Sequence, residues 1–262
     1  SQAQRSAGDT AGAARHAALS EKHKLAAPPL DDPLLTAVNQ LNAGAVPLIG
    51  EGLRLDRAGQ LAESAAVHEK ALEIDPQLAQ AHINLISLYG RLGRPERAEQ
   101  HYRSAIALNP NLAEAYYNYG VLRASEEAFR KALDINPNYA EAHGNLGDLV
   151  QRRGDLAGAR RHFEKAVALK PDYRVARFHL ARILIHQGAL APAIAHLEKI
   201  LAPEDETTPA YLYALGAAHA RSGDRDSALR YLRQAREHAA RYGQTAVIGS
   251  IDRDLRQLER RR

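Results

Sequence analysis

"INPNYAEAHGNLG" (residues 135–147) nearly repeats "LNPNLAEAYYNYG" (residues 108–120), with polar, small and apolar residues in the same order. Registered on this phrase, the chain falls into columns. Pro76, Pro110, Pro137 and Pro171 are spaced 34, 27 and 34 residues apart. Gly52, Gly120, Gly147 and Gly216 share a second column, with Ile86 and Ala181 filling it in the other copies. Gly59, Gly93, Gly154, Gly188 and Gly223 make a third. Ala71, Ala105, Ala132, Ala166 and Ala235 make a fourth, where Ile200 is the substitute. Ala98, Ala159, Ala193 and Ala228 make a fifth, where Ser64 stands in the first copy.

Each column has a physical task. The early Gly and the late Ala are small because two helices cross there at short distance. The second Gly lies between two apolar-periodic segments, where a turn needs a residue tolerant of positive φ. The Pro closes one unit and opens the next. Apolar places between these points recur at three and four, as in Leu85, Leu88 and Tyr89, or Phe163, Ala166 and Val167. Such a unit is a helix–turn–helix pair that must bury its apolar face by stacking on its neighbours.

With five columns sustained over residues 45–242, the chain resembles the tetratricopeptide repeat (TPR) proteins. The resemblance implies an all-α fold, a right-handed TPR superhelix (α-solenoid) of stacked antiparallel helix pairs with terminal capping helices. The register gives six units, at 45–78, 79–112, 113–139, 140–173, 174–208 and 209–242. The fifth lacks its Pro and has a longer acidic link, "APEDETTP" (202–209). Residues 243–262 read as a C-terminal capping helix with a basic end and with Val247, Ile251, Leu255 and Leu258 on one face.

The third unit is seven residues short and lacks its turn Gly. One reading is that a loop is omitted, because the flanking copies keep full register, and this is the favoured expectation. The other is a true deletion that fuses both helices into one rod, with Tyr119, Leu122, Phe129 and Leu133 on a single stripe, and invites domain swapping. At the N-terminus, residues 1–30 are an Ala-rich segment or linker ending in "AAPPL", and residues 31–44 read as a capping helix opened by Asp32 and Pro33. Apolar Val46, Ile49 and Leu53 suggest that this segment covers the first unit's inner face. The chain opens at Ser1 rather than Met, which suggests a processed product or the stub of a longer protein.

Composition narrows the chemistry. The 262 residues are 45% apolar but only 5% aromatic, a mix suited to helices packed through small side chains. With no Cys there is no disulfide, zinc–thiolate site or Cys nucleophile. No run is long enough for a membrane span. The net charge of +4 sits in residues 221–262, which hold 11 Arg against 6 acidic residues and read as a solvated helix end rather than a nucleic-acid surface. The compartment stays open between cytoplasm and periplasm. "GEG" (50–52) has no strand or third Gly around it, and no phosphate loop, nucleophile elbow or HExxH motif occurs. No catalytic residue, cofactor or metal site is expected. Among the twelve His, His82 and His143 fill a packing column, and His101, His162 and His196 share a second-helix column.

What the TPR resemblance implies about a site is a concave wall built by the first helix of each pair, binding a peptide or partner segment. Carried over by register, its candidates are Gln80, Asn84, Ser87 and Arg91 in the second unit, Tyr117 and Asn118 in the third, and Asn145, Asp148 and Arg152 in the fourth. Phe178, His179, Arg182 and His186 come from the fifth, and Tyr213, with Arg221, from the sixth. Asn84, Asn118 and Asn145 occupy one column and resemble the Asn ladder of the O-linked N-acetylglucosamine transferase TPR region. A carboxamide carries both donor and acceptor for an extended backbone. The Lys-then-Asn clamp of co-chaperone TPR domains is missing, since Ile49/Leu53, Ile83/Ser87 and Tyr117/Val121 stand in its places. The expected role is a non-catalytic protein-interaction scaffold, with a recruiting region of a larger enzyme or a self-assembling array as the alternatives.

Overall fold

A computed structural model describes residues 44–260 of the chain. The expected Ala-rich segment and N-terminal capping helix, residues 1–43, lie outside the described residues, as does the basic tip at 261–262. Thirteen α-helices make up the described part, with no strand among them. Twelve pair as hairpins: α1 (Ala45–Arg57) with α2 (Leu61–Ile74), α3 (Ala79–Arg91) with α4 (Pro95–Leu108), and α5 (Ala113–Arg123) with α6 (Glu126–Ile135). There follow α7 (Ala140–Arg152) with α8 (Leu156–Leu169), α9 (Arg174–His186) with α10 (Leu190–Glu198), and α11 (Thr208–Ser222) with α12 (Arg225–Arg241). The last helix, α13 (Thr245–Arg260), packs on α12 and α11.

Each second helix packs on the next hairpin's first helix, and successive first helices, α1 on α3, α3 on α5, α7 on α9 and α9 on α11, also touch one another. That asymmetry lines the first helices along one inner wall of an all-α TPR superhelix. The columns explain the spacing. Ala71, Ala105, Ala132, Ala166 and Ala235 are all fully buried where the two helices of a hairpin meet. Ser64, the odd member of its Ala column, is equally buried because its hydroxyl donates to the Gly52 carbonyl at 2.7 Å. A Cβ on Gly120 would lie 2.7 Å from the Phe129 ring, so that crossing tolerates no side chain.

The short third unit is a complete hairpin and not a fused rod. Relative to the second hairpin, α5 is two residues shorter than α3, α6 is four shorter than α4, and the turn loses one. All seven residues thus come off the turn end, which leaves Gly120 facing Phe129 and Ala132 in the stack. Ala124 takes the left-handed conformation (φ 49°, ψ 44°) that Gly adopts in the other turns, and Ser125 caps α6 by accepting from Ala128 N–H at 3.2 Å. An L-residue in this region carries strain that Gly lacks. Ala124→Gly is therefore expected to stabilise the protein by about 0.5–1 kcal/mol in denaturant titration. A destabilised variant would show that the turn is not strained.

The acidic link after α10 is tied down rather than loose. Arg174 donates to the Ile200 carbonyl at 3.0 Å and pairs with Asp205. The Thr207 hydroxyl, with Arg174, holds the Asp205 carboxyl down at about 2. At the other end of the stack Val46 and Leu53 of α1 are exposed, and the segment expected to cover them falls outside the described residues.

Candidate functional site

The asparagine column is placed between hairpins. Asn118 Nδ2 donates to the Ile83 carbonyl at 3.2 Å, and Asn145 Nδ2 donates to the Tyr117 hydroxyl at 3.3 Å. Asn84 Nδ2 meets His68 Nε2 at 3.4 Å while its oxygen accepts from Gln80 Nε2 at 3.0 Å. Each amide nitrogen thus gives one of its two N–H donors to the preceding hairpin and keeps the other. The side-chain oxygens of Asn118 and Asn145 carry no bond among the described residues.

Several other candidates are likewise engaged. Arg91 pairs with Asp56 of the preceding hairpin, and Asp148 pairs with Arg152 one turn along the same helix at 2.7 Å. Tyr117 packs its ring on Tyr139 (centroids 4.7 Å apart), and burial raises its hydroxyl's pKa. His179 stacks on Phe163 at 5.1 Å with Nδ1 3.1 Å from Gln151 Oε1, and burial lowers its pKa. Ser87 is half-buried on α3.

Phe178, Arg182, His186 and Tyr213 come together instead. They line a trough of about 770 Å³ on the inner wall between α9, α11 and α13. The floor is α11, where Ala210, Ala214 and Ala217 keep the surface low. Phe178 and Ile185 of α9 form one wall, and Ala246 and Val247 of α13 form the other. Gln151 and Leu156 reach in from the fourth hairpin, while Arg221 and Ser250 stand on the far rim. Tyr213 donates to Asp254 at 2.7 Å, and burial with that carboxylate pushes its hydroxyl up to about 12. It therefore remains a protonated donor that pins α13 against α11.

Sequence reasoning missed the alanine floor and the contribution of α13. The signal was present, since Ala210, Ala214 and Ala217 recur at helical spacing on a first helix where the fifth unit carries larger residues. Val247 belongs to the cap's apolar face, as its spacing implies, and it also forms trough wall. Among the described residues no group of three or more His, Asp or Glu is placed to hold a metal ion. No helix among them is long and apolar enough to cross a membrane.

The histidine columns resolve into cross-hairpin pairs. His82 Nδ1 lies 2.9 Å from His101 Nδ1, and His143 Nδ1 lies 3.0 Å from His162 Nδ1. His82 Nε2 and His143 Nε2 donate to the Pro76 and Pro137 carbonyls, at 3.3 Å and 3.1 Å, so their Nδ1 atoms must be acceptors. The fifth hairpin keeps the device with Arg177, which donates to Pro171 O at 2.6 Å and to His196 Nδ1 at 3.1 Å. Burial lowers the pKa of all five histidines, and it takes His101 to about 4.

Comparison with known proteins agrees with this architecture. Models of the tetratricopeptide repeat match residues 79–112, 111–174, 150–218 and 209–234. Across residues 79–234, more than half of its length, the chain belongs to the tetratricopeptide-repeat family. No curated protein sequence matches it. Among solved structures it is similar to pilF of Pseudomonas aeruginosa, at 22% identity and TM-score 0.69, covering 81% of this chain and 98% of that one. PilW, described as a widely conserved type IV pilus biogenesis factor, is similar at 22% identity and TM-score 0.64, covering 79% and 97%. YrrB, described as a TPR protein with an unusual peptide-binding site, is similar at 25% identity and TM-score 0.55, covering 66% and 93%.

Proposed function

We propose that the protein is a non-catalytic scaffold that holds a segment of a partner protein on its inner wall, in the trough between α9, α11 and α13. The observation that carries this reading is a largely apolar concavity of about 770 Å³ on the face of a helical stack where Asn118, Asn145 and Asp148 bond to neighbouring side chains or backbone. A cleft of that size with few polar groups suits the side chains of a bound chain. The description of YrrB as having a peptide-binding site supports a similar use of the fold. In this reading the asparagine column spaces the hairpins and the trough does the binding.

A photo-crosslinking residue at Tyr213 tests this directly. It is expected to trap a protein adduct, while the same residue at Arg161, exposed on the second helix α8, traps none. Adding Ala214→Trp to the chain that carries the crosslinker at Tyr213 fills the trough floor and is expected to abolish the adduct without changing helical content. An adduct that survives Ala214→Trp would overturn the assignment to this trough.

A further inference from the structure

We propose that the trough recognises a partner segment carrying a carboxylate next to a bulky apolar side chain, with Arg182 and Arg221 holding the carboxylate. This rests on the groove-binding role proposed above and names the chemistry of its occupant.

The charge around the trough is one-sided. No Asp or Glu lines it, whereas Arg182 and Arg221 do. Nearby arginines on the stack are occupied, Arg152 by Asp148 and Arg174 by Asp205, as is Arg236 by Asp252. Arg182 and Arg221 form no ion pair among the described residues, and both are exposed. Arg221 sits in the last turn of α11, where it also complements the helix dipole. That role engages its charge but not its fork of N–H donors, which stays available to a carboxylate.

Arg182 is pre-oriented for the same task. Its guanidinium carbon lies 5.7 Å from the centroid of the Phe178 ring. Such a contact holds the cation beside the ring, and its N–H donors bond to no other group among the described residues. Phe178 is itself trough wall, so the cation and the apolar surface belong to one feature. Because α9 and α11 are first helices of successive hairpins they run in parallel, and Arg182 aligns in register with Ala217, one turn before Arg221, so both arginines lie in the C-terminal halves of these helices, toward the same edge. The trough therefore has a basic end and an apolar remainder, lined by Ala214, Ala246 and Val247. A segment with its apolar anchor on the alanine floor presents its acidic neighbour to that edge. A basic or purely apolar segment would leave both guanidinium groups without an anion in a partly desolvated site.

Panning the purified full chain against a random display library of twelve-residue peptides decides the point. The expected result is enrichment of sequences with Asp or Glu at a fixed spacing from Leu, Ile, Phe or Tyr. One enriched peptide, synthesised with a fluorophore, should bind about tenfold to a hundredfold more weakly to Arg182→Gln and to Arg221→Gln. Its binding should also weaken as salt is raised, because the contacts lie at a solvent-accessible rim. Enriched peptides that lack acidic residues, yet are excluded by Ala214→Trp, would overturn the carboxylate chemistry and leave the groove standing. No enrichment, or enrichment that Ala214→Trp does not affect, would overturn the groove itself.

Discussion

Phe129→Ala is expected to cost about 3–5 kcal/mol and to split a single unfolding transition into two. The cost follows from removing a ring that is 2% exposed and packed on the bare backbone of Gly120, which has no side chain to move into the space. The splitting follows from where Phe129 sits. One buried cluster runs through the first hairpins and ends at Ala115, with Leu112 and Leu122 packed against it. A second begins at Phe129 and runs to Leu215. The short hairpin is the seam: Ala115 and Leu122 of α5 belong to the first cluster, while Phe129 of α6, with Tyr117 packed against it, belongs to the second. Stacked repeats are held by nearest-neighbour interfaces, and cooperativity fails where one interface becomes too weak. Helices of 11 and 10 residues give this hairpin less surface to lose than its neighbours, whose helices have 13 and 14. Phe163→Ala makes the comparison. It deletes the same ring from the interior of the second cluster and is expected to cost a similar amount while keeping one transition. Helical content followed through urea titration reads both variants, and a single sharp transition for Phe129→Ala would show that coupling crosses the seam intact.

The fold was legible in the sequence because its columns are steric. Gly120, Ala132 and Ala166 recur where backbones approach, and sterics of that kind survive any change in the surrounding side chains. The third hairpin was harder to read. Its turn uses Ala124 in place of Gly, and its deletion removes whole helical ends, so a search for the usual breaker finds none. The site was legible only in part. Register alone points to Phe178, Arg182, His186 and Tyr213, and the structure does bring them together. The asparagines show the limit of register. A recurring polar residue on an inner helix can face an incoming chain or reach sideways to the next hairpin, and both produce the same column. The sideways bond depends on the acceptor 35 residues earlier for Asn118 and 28 earlier for Asn145, one a backbone carbonyl and the other a Tyr hydroxyl. The trough floor escaped for the opposite reason: alanines are selected for what they leave empty.

Acidification from pH 7.5 to 5 is expected to weaken the stack on the order of several kcal/mol, through histidines that fold in the neutral state. The folded pKa of His68, His82, His101, His143, His162, His179 and His196 lies below the ordinary value of 6.5, with burial the first cause in each. The unfolded chain therefore binds more protons than the folded one below that value. The stability these groups contribute is complete above pH 6.5 and is lost as pH falls through the interval down to their folded values, about 4 for His101. The paired geometry makes the loss specific. In the His82–His101 and His143–His162 pairs, one Nδ1 donates and the other accepts, so a second proton removes the acceptor and sets two cations about 3 Å apart across a hairpin. His196 faces the permanent charge of Arg177 in the same way. The surroundings oppose this only in part. Glu69 favours the charged form of His101 while Arg97 disfavours it. Glu126 favours that of His162 against Arg130 and Arg161, and Lys165 disfavours that of His143. Thermal unfolding at the two pH values is expected to differ by roughly 10 °C. The double variant His101→Asn, His162→Asn keeps an N–H donor for each partner ring and cannot take up a proton, so it should shrink that difference by roughly a third, two of the seven groups being removed. An acid response as large in the double variant as in the parent would place the titrating groups elsewhere in the stack.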